Sequence, residues 1–272
     1  MPAAASSQTR AIAGAKVQLL AYVVNGTANE VDVYSYPGFI EEQKLTGFSG
    51  PQGACVDTSG DVWIADTNNS RLVEYAYHGS KPKATLPDAG DYPLGCAVSS
   101  ASGTLAVNGT SGIALYAHAK GKPHMIAGSG KAYFLTYDRN DNLFGDGESA
   151  QYQFELFELA SGAKSIEPIT VAGATIGFPG AVQYVKDVLN VGDQDGAVDY
   201  QMTVQGKTAT VTGSMPLSGS HDCVASFIYI NLLLCPDAGV NDLALYRYPK
   251  GGNPLQTEPA VGNAVVISDK SK

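Results

Sequence analysis

The feature that most constrains the fold is a repeat with a period of 41 residues. Each unit is marked by one large side chain, at Tyr34, Tyr75, Tyr116, Phe157, Met202 and Tyr246. The first four are 41 residues apart, and the last two follow at steps of 45 and 44. Around each marker, in segments such as EVDVYSYPG and DLALYRYPKG, apolar residues occupy alternate positions, which is the period of a β-strand with unlike faces. The sequence therefore predicts six copies of one β-rich unit.

The second unit shows most clearly what a copy contains. Strands are predicted over residues 53–57, 62–65, 71–75 and 83–86, with turns at Ser59-Gly60-Asp61 and over residues 66–70. Four antiparallel strands in about 41 residues are typical of a propeller blade. We therefore expect an all-β fold, a six-bladed β-propeller with four-stranded antiparallel blades. Residues 1–272 would form a single domain, with residues 1–15 as a flexible N-terminal segment.

The same unit resembles the NHL repeat, in which a proline-glycine start leads to a valine-aspartate strand end, a glycine turn and an "ADT-N-R" hairpin. The matching residues are Pro51, Gly53, Val56, Asp57, Gly60, Ala65, Asp66, Asn69 and Arg71. The third unit matches more loosely, at Pro93, Gly95, Val98, Gly103 and Val107. The resemblance covers about a quarter of the chain and implies an NHL-like propeller.

The first unit lacks an evident innermost strand. Its predicted strands cover residues 19–24, 30–36 and 42–46, whereas the C-terminal strand over residues 264–268 has nothing after it. Counting back one period from Tyr34 places this last strand in the missing position. We expect it to complete the first blade and close the ring, which leaves no open seam. The alternative is that residues 11–17 supply the strand.

Charge and hydropathy exclude several classes of partner. Seventeen basic and 26 acidic residues give a net charge of −9, so nucleic acid is disfavoured as a partner, and no basic run favours an anionic membrane. No apolar run approaches the roughly 20 residues that span a bilayer. The small, polar N-terminus and four cysteines agree with a secreted or periplasmic protein, which we expect to be a monomer.

A polar residue ends the second strand of every unit: Asn25, Asp66, Asn108, Asp146, Asp193 and Asp237. These oxygens would ring one face of a propeller. One hypothesis is a calcium site, because calcium prefers oxygen ligands and the gluconolactonase and paraoxonase propellers hold a catalytic calcium with such side chains. The other is structural, because Asp and Asn stabilise turns by bonding nearby backbone. We favour the structural role and expect no cofactor, with calcium as the possible exception.

The loops that lead into the innermost strands lie on that same face and open on the channel. They offer a mixed apolar and polar set for binding: Gln52, Tyr92, Lys131, Phe178 and His221. His221, beside Asp222, is also the candidate for a general base or a ligand. Streptogramin lyases use a histidine with acidic partners on this face. A solvent-exposed loop histidine is the simpler interpretation of His221.

The cysteines form two candidate pairs. Cys223 and Cys235 flank the hairpin VASFIYINLLL, where either a cross-strand disulfide or two buried thiols would fit. Cys55 and Cys96 each lie 20 residues before the marker of their unit. Equivalent side chains point the same way around a ring, so this spacing disfavours a bridge between them.

Motifs of phosphate loops, zinc sites and serine hydrolases are absent. Two function classes remain. The favoured one is a non-catalytic binding module that recognises a protein, peptide or glycan on the channel face. The alternative is an enzyme, a calcium-dependent lactonase or hydrolase or a lyase.

Overall fold

The computed structural model describes residues 18–87, 92–110, 112–128 and 130–270. Within these residues the fold is all-β, as predicted: 24 strands, with two short 3-10 helices at Thr67–Asn69 and Ala117–Ala119. No described helix has the length and apolarity needed to cross a bilayer. The alternative closing strand, residues 11–17, lies outside the described residues, as does the whole N-terminal segment 1–15.

The first half of the chain forms twelve strands, and the seven of them in the first two units agree with the predicted boundaries to within about one residue. They are β1 (Leu19–Asn25), β2 (Glu30–Tyr36), β3 (Glu41–Thr46), β4 (Gly53–Val56), β5 (Val62–Asp66), β6 (Arg71–Tyr75), β7 (Pro82–Pro87), β8 (Gly95–Val98), β9 (Leu105–Gly109), β10 (Gly112–Tyr116), β11 (His124–Ile126) and β12 (Gly130–Tyr137).

The second half continues the pattern with twelve more strands. They are β13 (Leu143–Ser149), β14 (Phe154–Leu159), β15 (Glu167–Ala172), β16 (Pro179–Val185), β17 (Val188–Asp193), β18 (Val198–Gln205), β19 (Thr208–Pro216), β20 (Phe227–Tyr229), β21 (Leu232–Asp237), β22 (Asp242–Arg247), β23 (Gln256–Pro259) and β24 (Ala264–Ser268).

The strands pair into a propeller-like ring of antiparallel sheets. Four sheets have four strands each, in the orders β24-β1-β2-β3, β4 to β7, β8 to β11 and β20 to β23. The strands β4, β8, β12, β16, β20 and β24 contact one another in succession around the centre. We call these the innermost strands.

Burial falls from the centre of each sheet to its edge. The second strand β1 is buried along almost its whole length, because neighbouring sheets cover both of its faces. The outer strand β7, in contrast, alternates between exposed and half-buried residues. Apolar clusters therefore lie between the sheets, and they hold the ring together through side-chain packing.

The C-terminal strand lies where the repeat predicted it. β24 pairs antiparallel with β1, from Leu20 opposite Ser268 to Val24 opposite Ala264. The first sheet is thereby built from both ends of the described chain. The prediction that the C-terminal strand completes the first blade is confirmed.

One part of the sheet arrangement departs from the expectation of separate blades. The outer strands β15 and β19 pair in parallel, from Thr170 opposite Thr208 to Ala172 opposite Thr210. This joins β12 to β19 into one sheet of eight strands. β19 is nine residues long, so its Thr208–Thr210 end has backbone groups free to meet β15.

Two disulfides are present, and one of them corrects the sequence-based expectation. Cys223 and Cys235 are joined, with their Cα atoms 5.4 Å apart. Cys55 and Cys96 are joined as well, with a Cα separation of 5.5 Å, although their equal spacing had disfavoured a bridge. Among the described residues no cysteine is free.

A difference in strand register explains why Cys55 and Cys96 meet. Cys55 lies level with Glu74, one residue before the marker of its unit. Cys96 lies level with Ala114, which is two residues before its marker. A shift of one residue turns a strand side chain to the other face of the sheet. Cys55 and Cys96 therefore face each other across adjacent sheets, where both join one buried cluster.

Candidate functional site on the channel face

A cavity of about 240 Å³ occupies the centre of the ring. All six innermost strands contribute to its wall, and none of its described lining residues is charged. Aromatic side chains are prominent there, including Tyr133, Phe134, Tyr137, Tyr184 and Phe227. The cavity is therefore suited to uncharged groups and lacks the carboxylates that a channel-bound cation would need.

We define the channel face as the surface that carries two kinds of segment. These are the loops that lead into the innermost strands and the turns between second and third strands. Gln52 is the one predicted binding residue that lines the cavity, and its side-chain oxygen accepts a hydrogen bond from Asn263 at 2.9 Å. Tyr92 is 50% exposed and Phe178 is 37% exposed, both on leading loops. The Phe178 ring lies 6.1 Å from Tyr133 of the cavity wall. Both aromatic residues are accessible on the channel face, and Phe178 lies against the cavity wall.

The other two predicted binding residues are placed differently. Lys131 is exposed on β12 itself and borders a separate, small cleft beside Gly147. His221 is exposed on the leading loop of β20, where its backbone amide donates to Asp237 at 2.8 Å. Neither side chain lines the central cavity.

The polar ring at the ends of the second strands is buried, and Asp66 shows how one member is used. Its carboxylate accepts a hydrogen bond from the backbone amide of Ser49 at 2.7 Å. It also forms an ion pair with Arg71 at 2.6 Å. Ser49 lies in the leading loop of the same sheet, so Asp66 fixes that loop against the turn after β5.

Asp193 and Asp237 repeat this arrangement. Asp193 accepts from the backbone amide of Phe178 at 3.2 Å. Asp237 accepts from the amides of His221 at 2.8 Å and Asp222 at 3.0 Å. Both aspartates therefore position the leading loops that carry predicted binding residues, and they act on the site through the backbone.

The remaining three members differ from one another. Asn25 accepts from the amide of Ala28 within its own turn. Asn108 donates to the carbonyl oxygens of Ala132 and Tyr133 on the neighbouring innermost strand, at 2.9 and 2.7 Å. Asp146 is fully buried with no direct hydrogen-bond partner of good geometry among the described residues, and burial raises the pKa of its carboxyl well above the usual value. The hydrogen bonds therefore do not explain the role of Asp146.

Convergent carboxylates occur elsewhere in the described part of the chain, at Asp57, Asp61 and Glu74. Lys83 already neutralises this group, with its ammonium 2.5 Å from Asp61 and 2.8 Å from Glu74. None of the ring residues belongs to it. The cluster is an ion-pair network beside the third and fourth strands of one sheet.

A second buried acid, Asp199 on β18, lies away from the cavity. Burial raises the pKa of its carboxyl from 3.8 to about 7, and a hydrogen bond from Gln201 at 3.1 Å opposes the rise. Strongly shifted acids are often functional. Asp199 does not line the cavity, so we assign it no functional role. We expect its burial to lower the stability of the fold.

This cost has a definite pH dependence. Because the pKa of Asp199 is higher in the folded state, the folded protein retains a proton that the unfolded chain releases, and stability falls as pH rises from about 4 to 7. Asparagine cannot ionise, so Asp199→Asn should remove this loss of stability and raise the free energy of unfolding at pH 8 by about 4 kcal/mol. Urea denaturation at pH 5 and pH 8 measures the difference.

The matched control for Asp199→Asn is the exposed Glu42→Gln, which should leave the pH profile unchanged. Asp146 contributes in the same direction as Asp199, so the variant should flatten the profile without abolishing its slope. Identical profiles for wild type and Asp199→Asn would contradict the assignment.

Three accessible residues of the channel face were not among the predicted binding residues. Tyr152 is 75% exposed, Val240 45% and Val261 40%, and each lies in a leading loop or in a turn between second and third strands. Together with Tyr92 and Phe178 they place exposed apolar side chains on five of the loops and turns of this face. None of them belongs to a motif, so the only sequence signal is the position of each residue within the repeat.

Comparisons with known proteins agree with this architecture. Residues 48–75 match the NHL repeat family. The fold is similar to the crystal structure of a nidogen/laminin complex, with a TM-score of 0.76 and 12% identity over 94% of this chain and 99% of that one. It is also similar to a Bacteroides caccae protein of unknown function, with a TM-score of 0.71 and 11% identity over 93% and 99% of the two chains.

A streptogramin B lyase structure is similar as well, with a TM-score of 0.58 and 14% identity, over 89% of this chain and 74% of the lyase. No curated protein sequence matches the chain. At these identities the similarity establishes the fold, and the family match covers one unit of the repeat. The chain is a β-propeller that contains an NHL repeat.

Proposed function

We propose that this protein is a binding module that recognises a protein, peptide or glycan through its channel face. The observation that carries the proposal is the set of exposed apolar side chains around an uncharged cavity. Tyr92 and Phe178 lie on leading loops, and Tyr133 beside Phe178 continues the apolar surface into the cavity wall. Exposed aromatic residues next to a preformed uncharged cavity are typical of a binding surface.

The comparisons favour a protein as the ligand. The nidogen/laminin neighbour is a propeller crystallised in a protein complex. NHL propellers often act as interaction modules. By this analogy, we propose that a partner protein binds the channel face of the present chain.

A peptide-display experiment tests the proposal. Peptides selected on the immobilised protein should lose affinity by about 10-fold or more when Tyr92 and Phe178 are both replaced by serine, because exposed aromatic residues dominate binding energy at such surfaces. The control is Ile40→Ser, which replaces an even more exposed apolar residue outside the channel face and should leave binding unchanged. Failure to enrich any peptide that is sensitive to the double substitution would contradict the proposal.

The alternative is an enzyme, and the His221 loop is the observation in its favour. Asp222 follows His221, and the pKa of Asp222 is raised by burial and by the nearby charges of Asp237 and Asp195. A streptogramin B lyase is among the structures with a similar fold, which supports considering an enzymatic role. His221, however, has no carboxylate within ion-pair distance among the described residues.

Calcium dependence separates the two proposals. A calcium ion at 100-fold excess over its dissociation constant would stabilise the fold by about 2.7 kcal/mol. We expect the melting temperature to be the same with calcium and with chelator. A calcium-dependent increase that disappears in Asp146→Ala or Asp193→Ala would make the calcium-dependent enzyme the leading hypothesis.

We further propose a blade count, a domain organisation, a location and an oligomeric state for the protein. The eight-stranded sheet is interpreted as two four-stranded blades joined at their outer edges, which gives six blades in a single domain. Two disulfides fit a secreted or periplasmic location. We expect a monomer, and sedimentation analysis would measure its mass.

A further inference from the structure

The two faces of the ring differ sharply in basic residues. We call the face that carries the turns between first and second strands, and between third and fourth strands, the opposite face. Its described turns contain Lys81, Lys120, Lys122, Arg139, Lys164, Lys186, Lys207 and Lys250. The described loops and turns of the channel face contain no lysine or arginine. Lys131 and Arg71 lie on strands, near the channel-face ends of β12 and β6, and Arg71 is already paired with Asp66.

Three neighbouring segments of the channel face form one continuous surface. We call it the acidic sector, and it consists of the leading loop over residues 173–178, the turn over residues 194–197 and the leading loop over residues 217–226. The Asp193 carboxylate joins the first two segments, because it accepts from the backbone amides of Gly177 at 3.1 Å and Gly196 at 3.2 Å. The amide of Leu217 donates to the carbonyl oxygen of Ala197 at 2.8 Å, which joins the turn to the last segment.

Two carboxylates of the acidic sector are accessible to a partner. Asp195 is exposed and Asp222 is half-buried, and neither forms an ion pair with any described residue. The pKa of Asp222 is raised by burial and then by the negative charges of Asp237 and Asp195, so these carboxylates lie close enough to repel one another. His221 is the one side chain of the three segments that can carry positive charge. The acidic sector therefore presents negative charge to solvent.

Exposed apolar side chains lie beside these carboxylates. Asp195 packs against Gly177, with a carboxylate oxygen 3.0 Å from the position that a β-carbon would take there. Phe178 follows Gly177 and is 37% exposed. The turn that carries Val240, which is 45% exposed, donates a backbone hydrogen bond to the carbonyl oxygen of Asp222 at 3.0 Å. Negative charge and apolar surface are therefore adjacent in the acidic sector.

A metal ion does not match this arrangement, whereas an arginine side chain does. Within the described residues, three or more side-chain ligand atoms close enough to share a metal ion are found only at Asp57, Asp61 and Glu74, outside the acidic sector. Calcium needs 6–8 oxygen ligands. A guanidinium group requires fewer, because its donors pair with a single carboxylate while its flat face stacks on an aromatic ring.

We propose that the acidic sector binds a basic segment of the partner protein, in which arginine side chains are flanked by apolar ones. The guanidinium groups would pair with Asp195 and Asp222 and stack on Phe178, and a flanking apolar side chain would cover Val240. The lysines of the opposite face would repel the same segment and so favour its approach to the channel face. This inference rests on the proposed function, because it specifies the chemistry of the partner that binds there.

Fluorescence anisotropy with a short labelled peptide of arginine and leucine tests the proposal, and a glutamine-leucine peptide of the same length is the uncharged comparison. The arginine peptide should bind more tightly. The double variant Asp195→Asn, Asp222→Asn should weaken its binding by about 5-fold or more. The matched control Glu41→Gln, Glu42→Gln removes the same charge from exposed positions on β3, outside the channel face, and should bind as the wild type does.

The outcomes separate this inference from the proposed function. No binding of the arginine-leucine peptide would overturn the inference, as would equal weakening by the two double variants, which shows only diffuse attraction by net charge. Equal binding of the two peptides, lost in the Tyr92→Ser, Phe178→Ser variant, would overturn the inference but support the channel face as a binding surface. Binding of the arginine-leucine peptide that the same variant leaves unchanged would overturn both. Retained folding of each variant is checked by its melting temperature.

Discussion

Removal of residues 262–272 should unfold the protein or leave it aggregated. The deletion takes away β24, whose five residues are all buried between neighbouring sheets. Burial of Val265, Val266 and Ile267 alone contributes about 6 kcal/mol, which is comparable to the total stability of many domains. The deletion would also leave the inner edge of β1 unpaired. Circular dichroism and size-exclusion chromatography of the truncated chain measure the loss.

Two further variants test this prediction. Deletion of residues 271–272 alone should leave the melting temperature unchanged, since β24 stays whole. Ile267→Ala should fold and cost about 2–5 kcal/mol, because a buried isoleucine leaves a cavity when truncated. A truncated chain with the melting temperature of the full one would refute the role of β24 in closing the ring.

The Cys55–Cys96 disulfide should be the more stabilising of the two. It closes a loop with a sequence separation of 41 residues, against 12 for Cys223–Cys235. The loss of chain entropy in the unfolded state then contributes about 4 kcal/mol for the first bridge and about 3 kcal/mol for the second. Serine variants of each pair, compared by denaturant unfolding, should reproduce this order.

The oxidation state is checked separately by mass spectrometry. Alkylation of the denatured protein without reductant should label none of Cys55, Cys96, Cys223 and Cys235, and alkylation after reduction should label all four. Labelling of Cys55 and Cys96 without reductant would contradict the bridge between the sheets, and with it the register difference that brings these side chains together.

The sequence alone determined the repeat unit and its strands. Period-2 alternation is a local property, so the boundaries of β2 and β24 follow from it without knowledge of any neighbour. The closing role of β24 also follows, because a repeat that lacks one strand at its start and has one to spare at its end allows few other pairings. The sequence anticipated the positions of the candidate binding residues only in part. Leading-loop position identified Tyr92 and Phe178 as accessible, but it did not place Lys131 and His221 outside the cavity wall.

Only the tertiary structure decided which side chains meet across the sheets and which surface each turn occupies. Cys55 and Cys96 have equal spacing in the sequence, yet turns of unequal length shift the register by one residue and turn them toward each other. Leu115 and Leu159 are 44 residues apart in the chain, and they line one groove because corresponding strands of adjacent sheets lie side by side. Strand periodicity specifies which face of its own sheet a residue occupies. The neighbour it contacts depends on how the sheets are placed around the ring, which is a property of the assembled fold.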